Sequence, residues 1–355
     1  MKTVSIGQRV VGDGNPSFII AEAGCNHNQQ LDLAKQLVDM AVHANADSVK
    51  FQSYEAEQMY SKKTPMMEHF RSRMEVGDDA TMFDLIQATE FPYEIQPAVV
   101  EYCHEVGIPF MSTPFGIEDV GILEEFDVPV FKIASFEMTH FPLIRRVGET
   151  GKPIVLSTGM STLGDIEKAI NTITETGNDQ IILLHCVSNY PTDPKDVNLK
   201  AIPTMKAAFG RPVGFSDHTP GIDVSKVAIS IGANMIEKHI TVDQSLPGPD
   251  HHFSLTPDQL DSLVQARDFI EMVLGSPRKI STPAEQAMKD VGRRSLCAAT
   301  PINAGELVTE EKIAVKRPGT GIPTELMDVV IGATAIRDIE DDEPLSWDMF
   351  LRYNE

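Results

Sequence analysis

The stretch Gly214-Phe215-Ser216-Asp217-His218-Thr219, followed by Asp223 to Ile231 and then Asn234-Met235-Ile236-Glu237-Lys238-His239-Ile240-Thr241, decides how the chain reads. Asp223 to Ile231 carries Val224, Val227, Ala228 and Ile231 at helical spacing. The apolar runs before each histidine read as strands. Strand, helix, strand is a βαβ unit, whose two strands run parallel and lie side by side, about 4.8 Å apart. His218 and His239 then stand at the carboxyl ends of neighbouring strands, close enough to share one metal ion. A histidine at a strand end is also an ordinary hydrogen-bonded residue, and this unit alone leaves both readings open.

Working outward, six more short apolar runs alternate with helical patterns. Phe18-Ile19-Ile20-Ala21, Ser48-Val49-Lys50-Phe51, Pro109-Phe110-Met111-Ser112 and Pro129-Val130-Phe131-Lys132-Ile133 come first, then Pro153-Ile154-Val155-Leu156 and Ile181-Ile182-Leu183-Leu184. With Pro212-Val213-Gly214-Phe215 and Asn234-Met235-Ile236-Glu237 they number eight. Most are continuously apolar, as parallel strands covered by helices require, and proline opens four of them, a position that strands tolerate. Eight such units over roughly 250 residues predict an α/β fold, a (β/α)₈ TIM barrel. A doubly wound sheet is the rival, but no G-x-G-x-x-G follows the first strand.

Helices are expected over Asp32 to Ala44, Pro97 to Val106, Ile117 to Phe126, Leu163 to Thr174 and Pro257 to Leu274. Residues 2–11 read as a hairpin ahead of the barrel. Residues 53–80, with Met59, Met66, Met67 and Met74 among charges, form a long connection that suits an active-site lid, with plain disorder as the alternative. The expected domains are a catalytic barrel over 1–275, a polar linker over 276–290 and a small β-rich domain over 291–355. In the last, Ser295–Ala299, Ile313–Arg317 and Val329–Ala333 read as strands. About 65 residues is small for an independent core.

The chain has 355 residues and a formal net charge of −22, which argues against nucleic acid and anionic membrane surfaces as partners. No apolar stretch approaches the roughly 20 residues that span a bilayer. The start, Met1-Lys2-Thr3-Val4-Ser5-Ile6, lacks a signal-peptide core, so a cytoplasmic protein is expected. Cys25, Cys103, Cys186 and Cys297 are scattered without C-x-x-C spacing and are expected to be free, buried thiols.

Chemistry in such a barrel sits at the carboxyl ends of the strands. Those ends carry Glu22, Asn26 and His27; Lys50 and Gln52; Ser112 and Thr113; Lys132, Ser135 and Glu137; and Ser157 and Thr158. His185, Ser188, Asn189 and Tyr190, then Ser216 and His218, and Glu237 and His239 complete the series. Two lysines among hydroxyls suit a phosphate plus a carboxylate. Two histidines with nearby carboxylates suit a divalent ion of the manganese-to-zinc series.

The motifs Ile20-Ala21-Glu22-Ala23-Gly24-Cys25-Asn26-His27, Val49-Lys50-Phe51-Gln52, Ser112-Thr113-Pro114-Phe115 and Phe131-Lys132-Ile133-Ala134-Ser135 resemble the sialic acid synthase family. So do Leu156-Ser157-Thr158-Gly159-Met160, Phe215-Ser216-Asp217-His218 and Gly248-Pro249-Asp250-His251. Val315-Lys316-Arg317-Pro318-Gly319 resembles the family's appended antifreeze-like (SAF) domain. The resemblance implies condensation of phosphoenolpyruvate with an N-acetylmannosamine-type sugar, giving a nine-carbon 2-keto acid and phosphate. It implies Glu22, His218 and His239 as catalytic residues, the two histidines holding Mn²⁺ (or Mg²⁺ or Co²⁺). It implies Lys50, Thr113, Lys132, Ser135, Ser157, Ser188 and Ser216 around phosphoenolpyruvate, and Gln52, Tyr190, Asp250 and Arg317 around the sugar. Arg317 is expected to act in the second subunit of a domain-swapped homodimer. Phe136, and Ser188 where an asparagine often stands in N-acetylneuraminate synthases, leave a 2,4-diacetamido-2,4,6-trideoxymannose, as in legionaminic acid synthases, as the rival substrate. The pseudaminic subgroup differs from Glu22-Ala23-Gly24 in its first-strand motif. A related 3-deoxy sugar acid synthase and a non-catalytic binding module are the remaining alternatives.

Overall fold

The computed structural model describes residues 2–67 and 79–351. Contacts divide the chain into two compact units, Met1–Gly275 and Ser276–Glu355.

In the first unit, β1 (Val4–Ile6) and β2 (Arg9–Val11) pair as an antiparallel hairpin. Eight parallel strands follow: β3 (Phe18–Gly24), β4 (Ser48–Ser53), β5 (Phe110–Pro114), β6 (Phe131–Ile133), β7 (Ile154–Ser157), β8 (Ile181–Cys186), β9 (Val213–Asp217) and β10 (Met235–His239). They close in sequence order, with β10 returning to pair with β3. The TIM-barrel expectation holds. The prolines at 109, 153 and 212 each stand immediately before a strand, where no ladder N–H is needed. All six expected helices of the first unit form within one residue of their expected ends, among them Leu31–His43, Asp223–Ser230 and Pro257–Leu274.

Side-chain alternation sorts every strand into two faces. Ile19, Ala21 and Ala23 of β3 pack outward into the layer shared with the helices, as do Ile181 and Leu183 of β8. Phe18, Ile20, Met111, Val130, Val155, Ile182, Leu184 and Met235 point inward instead. The hairpin residues Val4, Ile6 and Val11 join that inner cluster. The interior beneath the strand ends is therefore a packed apolar plug. The next inward positions up each strand are Glu22, Lys50, Thr113, Lys132, Ser157, Cys186, Ser216 and Glu237. Polarity begins where the plug stops.

Between β4 and β5, the connection forms helix Ala56–Met59, a bridge between Pro65 and Thr81, and helix Met82–Thr89. Met66 is buried with Met82 and Leu85. Met74, part of the expected lid, lies outside the described residues.

In the second unit, β11 (Ser295–Ala298) pairs antiparallel with β12 (Ile313–Lys316) over a core that includes Leu296, Val308, Ile322, Val330 and Leu345. The strand expected over Val329–Ala333 does not form. Met327–Val330 is a short helix, and Gly332 takes φ +84°, which ends any extended run. Burial of Val330 beside an exposed Val329 satisfies the small core through one helical turn. The segment expected as a linker is exposed but coils over Gln286–Gly292. Among the described residues, no helix is long and apolar enough to cross a membrane.

Candidate active site

The inward strand ends and the loops after them line one cavity of about 510 Å³. Glu22, Lys50, Gln52, Thr113, Lys132, Ser135, Ser157, Ser188, Tyr190, Ser216, His218, His239 and Asp250 all face it. Thirteen of the fourteen expected site residues are thus brought together, and Arg317 lies in the second unit, where its Nε donates to Gly292 O at 2.7 Å.

Four buried charges form the floor. Lys50 Nζ is 2.6 Å from Glu22 Oε2 and 3.1 Å from Thr113 Oγ1, to which it donates. Glu237 Oε1 lies 3.8 Å from both Lys50 Nζ and Lys132 Nζ, and accepts from Ser216 Oγ at 3.3 Å. Burial works against both charges of each pair, and the partners decide the balance. Burial pushes the Glu22 carboxyl up to about 7, against the pull of Lys50, with the Glu237 charge adding to the rise. Glu237 goes the other way: burial disfavours its charge, but Lys132, Lys50 and His218 outweigh it and hold it below the usual carboxylate range. Burial likewise opposes the Lys50 charge, which Glu22 and Glu237 restore to above the ordinary lysine range. Lys132 falls below that range because burial exceeds the help from Glu237. Two carboxylates in one cavity with pKa values driven apart are suited to different work. Gln52 Nε2 donates to Glu22 Oε1 at 2.8 Å and fixes its rotamer.

Above the floor, the two imidazoles stand with ring centroids 5.5 Å apart. His218 Nδ1 meets Val187 O at 3.0 Å, so Nδ1 carries a proton and Nε2 is the nitrogen left to face a ligand. Tyr190 packs on the His218 ring at 4.2 Å. Burial holds His239 well below the ordinary histidine range, with His218 and the neighbouring lysines adding to the effect, and it stays neutral. Its Nδ1 lies 3.5 Å from Asp250 Oδ2. Among the described residues no hydrogen-bond partner reaches His239 Nδ1, Glu237 Oε2, Ser157 Oγ or Ser188 Oγ. Orphaned buried polar atoms facing one cavity point to groups that a ligand completes.

This donor set fits a divalent ion. Burial keeps His239 neutral, whereas at His218 burial is outweighed by Cys186, the Val187 carbonyl and Glu237, which raise it above the ordinary histidine range; it would release its Nε2 proton to an ion of the manganese-to-zinc series. Among the described residues no three histidine, cysteine or acidic side chains converge at ligating distance. The protein would contribute two imidazoles and leave the other positions to substrate and water.

Parity explains which strand-end residues miss the cavity. His185 and Ser112 occupy outward positions. His185 Nε2 meets Val197 O at 2.6 Å and its ring stacks on Phe215, while Ser112 Oγ pairs with Ser53 Oγ at 2.8 Å. Asn26 donates to Ile240 O and Ser254 Oγ, and His27 packs against Phe51 and Phe91. In the sequence, Glu237 reads only as a polar strand end. Its pairing with both lysines follows from its being an inward position in register with Ile20 and Ser216, a signal that alternation alone carries. The Met59, Tyr60, Met67, Met82, Leu85 and Phe136 side chains add an apolar wall.

A closed parallel barrel with buried lysines, hydroxyls and two histidines gathered at its strand ends is a (β/α)₈ protein whose candidate site lies where that fold places its chemistry. Residues 37–279 match the NeuB family and residues 293–351 the SAF domain. The chain belongs to the NeuB family. It is 43% identical to an uncharacterised protein of Methanocaldococcus jannaschii over 351 residues, 99% of each chain. It is 37% identical to the N,N'-diacetyllegionaminic acid synthase of Campylobacter jejuni, across 92% of this chain and 98% of that one. The crystal structure of the N-acetylneuraminic acid (sialic acid) synthetase of Leptospira borgpetersenii superposes with a TM-score of 0.72 at 33% identity, covering 81% of this chain and 95% of that one.

The Glu22 assignment is open to a direct check. Difference infrared spectra across pH 5 to 9 should show one carboxylate band growing in with a midpoint near 7, absent from Glu22→Gln. A carboxylate ionised throughout that range would contradict the burial-driven rise.

Proposed function

We propose that this protein is a nonulosonic acid synthase, joining phosphoenolpyruvate to the open-chain aldehyde of an N-acetylmannosamine-type sugar. The observation that carries the reading is the floor of the cavity, where Lys50 and Lys132, each buried, flank Glu237 at 3.8 Å beneath the two histidines. The phosphate and carboxylate of phosphoenolpyruvate need two fixed cations and several hydroxyl donors. Lys50 and Lys132 would neutralise them, and Thr113, Ser135, Ser157, Ser188 and Ser216 would donate to their oxygens. C3 of phosphoenolpyruvate bonds to the aldehyde carbon, whose oxygen takes a proton and becomes a hydroxyl. Water adds to the resulting cation at C2. Collapse of that adduct breaks the C2–O bond to phosphorus, releasing inorganic phosphate and leaving the 2-keto group.

Glu22, poised near neutrality, would accept a proton from the attacking water or return one to a departing oxygen. Gln52, Tyr190 and Asp250 would hold the sugar hydroxyls. A Mn²⁺ ion, with Mg²⁺ or Co²⁺ as substitutes, held by His218 and His239 would polarise the aldehyde oxygen as a Lewis acid. Phosphoenolpyruvate is a cytoplasmic metabolite, and cytoplasmic residence belongs to the same proposal.

A second sugar is favoured by a specific feature. The wall of Met59, Tyr60, Met82, Leu85 and Phe136 offers apolar surface, which matches the extra methyl groups of a 2,4-diacetamido-2,4,6-trideoxymannose better than a hydroxymethyl tail. Incubation with Mn²⁺, phosphoenolpyruvate and a panel of acetamido sugars, read by phosphate release and product mass, decides both points. Sugar-dependent phosphate is expected with at least one of the two substrates; none with either would end the proposal.

The reading also assigns Arg317 to the acetamido group of a sugar bound by a second copy in a domain-swapped homodimer. His218→Ala and Arg317→Ala should each be nearly inactive alone, and a refolded mixture should regain activity, since a mixed dimer holds one complete site. No recovery on mixing would place Arg317 in its own chain's site or outside it.

A further inference from the structure

Alternation that turns Ser216, Glu237 and His239 inward turns Asp217 and Lys238 outward. Asp217 immediately precedes His218, Lys238 immediately precedes His239, and the two are register partners across β9 and β10. Lys238 Nζ lies 3.0 Å from Asp217 Oδ2, with exposures of 1% and 0%. Lys238 Nζ also donates to Thr219 O. Asp217 Oδ1 accepts from Thr219 N and Thr219 Oγ1, both at 2.8 Å, and Oδ2 accepts from Ser225 Oγ at 2.5 Å. Ser225 belongs to helix Asp223–Ser230, which covers these strands. Neither Asp217 nor Lys238 faces the cavity.

Stability alone does not account for this arrangement. Removing two charges from water costs several kcal/mol, and apolar residues of similar volume commonly serve a core as well or better. What the ion pair adds is direction. Lys238, fixed on β10, grips the residue before His218 through its side chain and the residue after it through its carbonyl. The chain carrying one imidazole is therefore tied, on both sides, to the residue beside the other imidazole. At Gly214 an added Cβ would lie 2.3 Å from Met235 O, so the two strands start close as well. Gly214 fixes their separation at the base and the ion pair fixes it at the top.

We propose that Asp217 and Lys238 are positioning residues that set the spacing of the His218 and His239 imidazoles, and through it the protein's affinity for a divalent cation. The inference rests on the reading that these two histidines hold the ion. Outer partners that orient metal-binding imidazoles commonly change metal affinity about 10- to 100-fold when altered.

Mn²⁺ titration of the full chain, followed by loss of the free-ion electron paramagnetic resonance signal, tests it. Asp217→Asn with Lys238→Met removes both charges together, leaves no unpaired buried ion, keeps an oxygen to accept from Thr219 and turns an N–H toward the Ser225 hydroxyl, which can accept it. This double variant should bind Mn²⁺ about 10- to 100-fold more weakly while keeping the parent circular dichroism spectrum. Ser225→Ala deletes one hydroxyl, leaves the charges paired, and should weaken Mn²⁺ binding in the same direction by a smaller factor; it decides the matter if the double variant does not fold. His218→Ala separates the two levels of the argument. If the parent takes up no Mn²⁺, or His218→Ala takes it up equally well, the histidine reading fails and the positioning role with it. If His218→Ala loses Mn²⁺ while Ser225→Ala and the folded double variant bind it as the parent does, the positioning role alone is overturned.

Discussion

The site depends on one costly arrangement: Glu22, Lys50, Glu237 and Lys132, all nearly sealed from water, with neighbouring charges 2.6 to 3.8 Å apart. Each ion loses hydration worth several kcal/mol on burial, and mutual attraction offsets that loss only where geometry is good. Here it is good on one side and incomplete on the other. Glu22 is held by Lys50 at 2.6 Å and by Gln52, whereas Glu237 is shared between two lysines, each at 3.8 Å. Lys132, with Glu237 no nearer than 3.8 Å and burial working against its charge, stands where a further anion would stabilise it. The apolar plug beneath it, sealed by the N-terminal hairpin, keeps the dielectric low and makes every charge above it count for more.

The barrel was legible because eight apolar runs, several opened by proline and separated by helical patterns, leave few alternatives. The site was legible because barrel chemistry collects at strand ends. What the runs did not disclose was facing. His185 and Ser112 stand at strand ends as plainly as Lys50 does, yet they point into the helical layer, and only the pleat separates the two sets. Continuous apolar strands erase the alternation by which facing is ordinarily read, since both faces are buried. Glu237 was undervalued for the same reason. The Val329–Ala333 run failed differently. Val329, Val330 and Ile331 carry strand propensity, but a core as small as that of the second unit took Val330 inward through a helical turn, and Gly332 ended the run.

β10 shows how the two faces divide labour. Glu237 and His239 face inward, one to the lysines and one to the His218 ring, while Lys238 between them faces outward and grips β9. A single three-residue segment thus turns a carboxylate and an imidazole into the cavity and an ion-paired lysine away from it. The βαβ unit that first suggested a metal explains more than the histidine pair, because its outer residues hold the pair at a fixed distance.

Anomalous diffraction from crystals grown with Mn²⁺ and phosphoenolpyruvate tests the central claim most directly. A manganese peak is expected at coordination distance from imidazole nitrogens of both His218 and His239, with the phosphoenolpyruvate anion within hydrogen-bond reach of Lys50 Nζ and Lys132 Nζ. Manganese held by other side chains, or the anion bound away from both lysines, would contradict it.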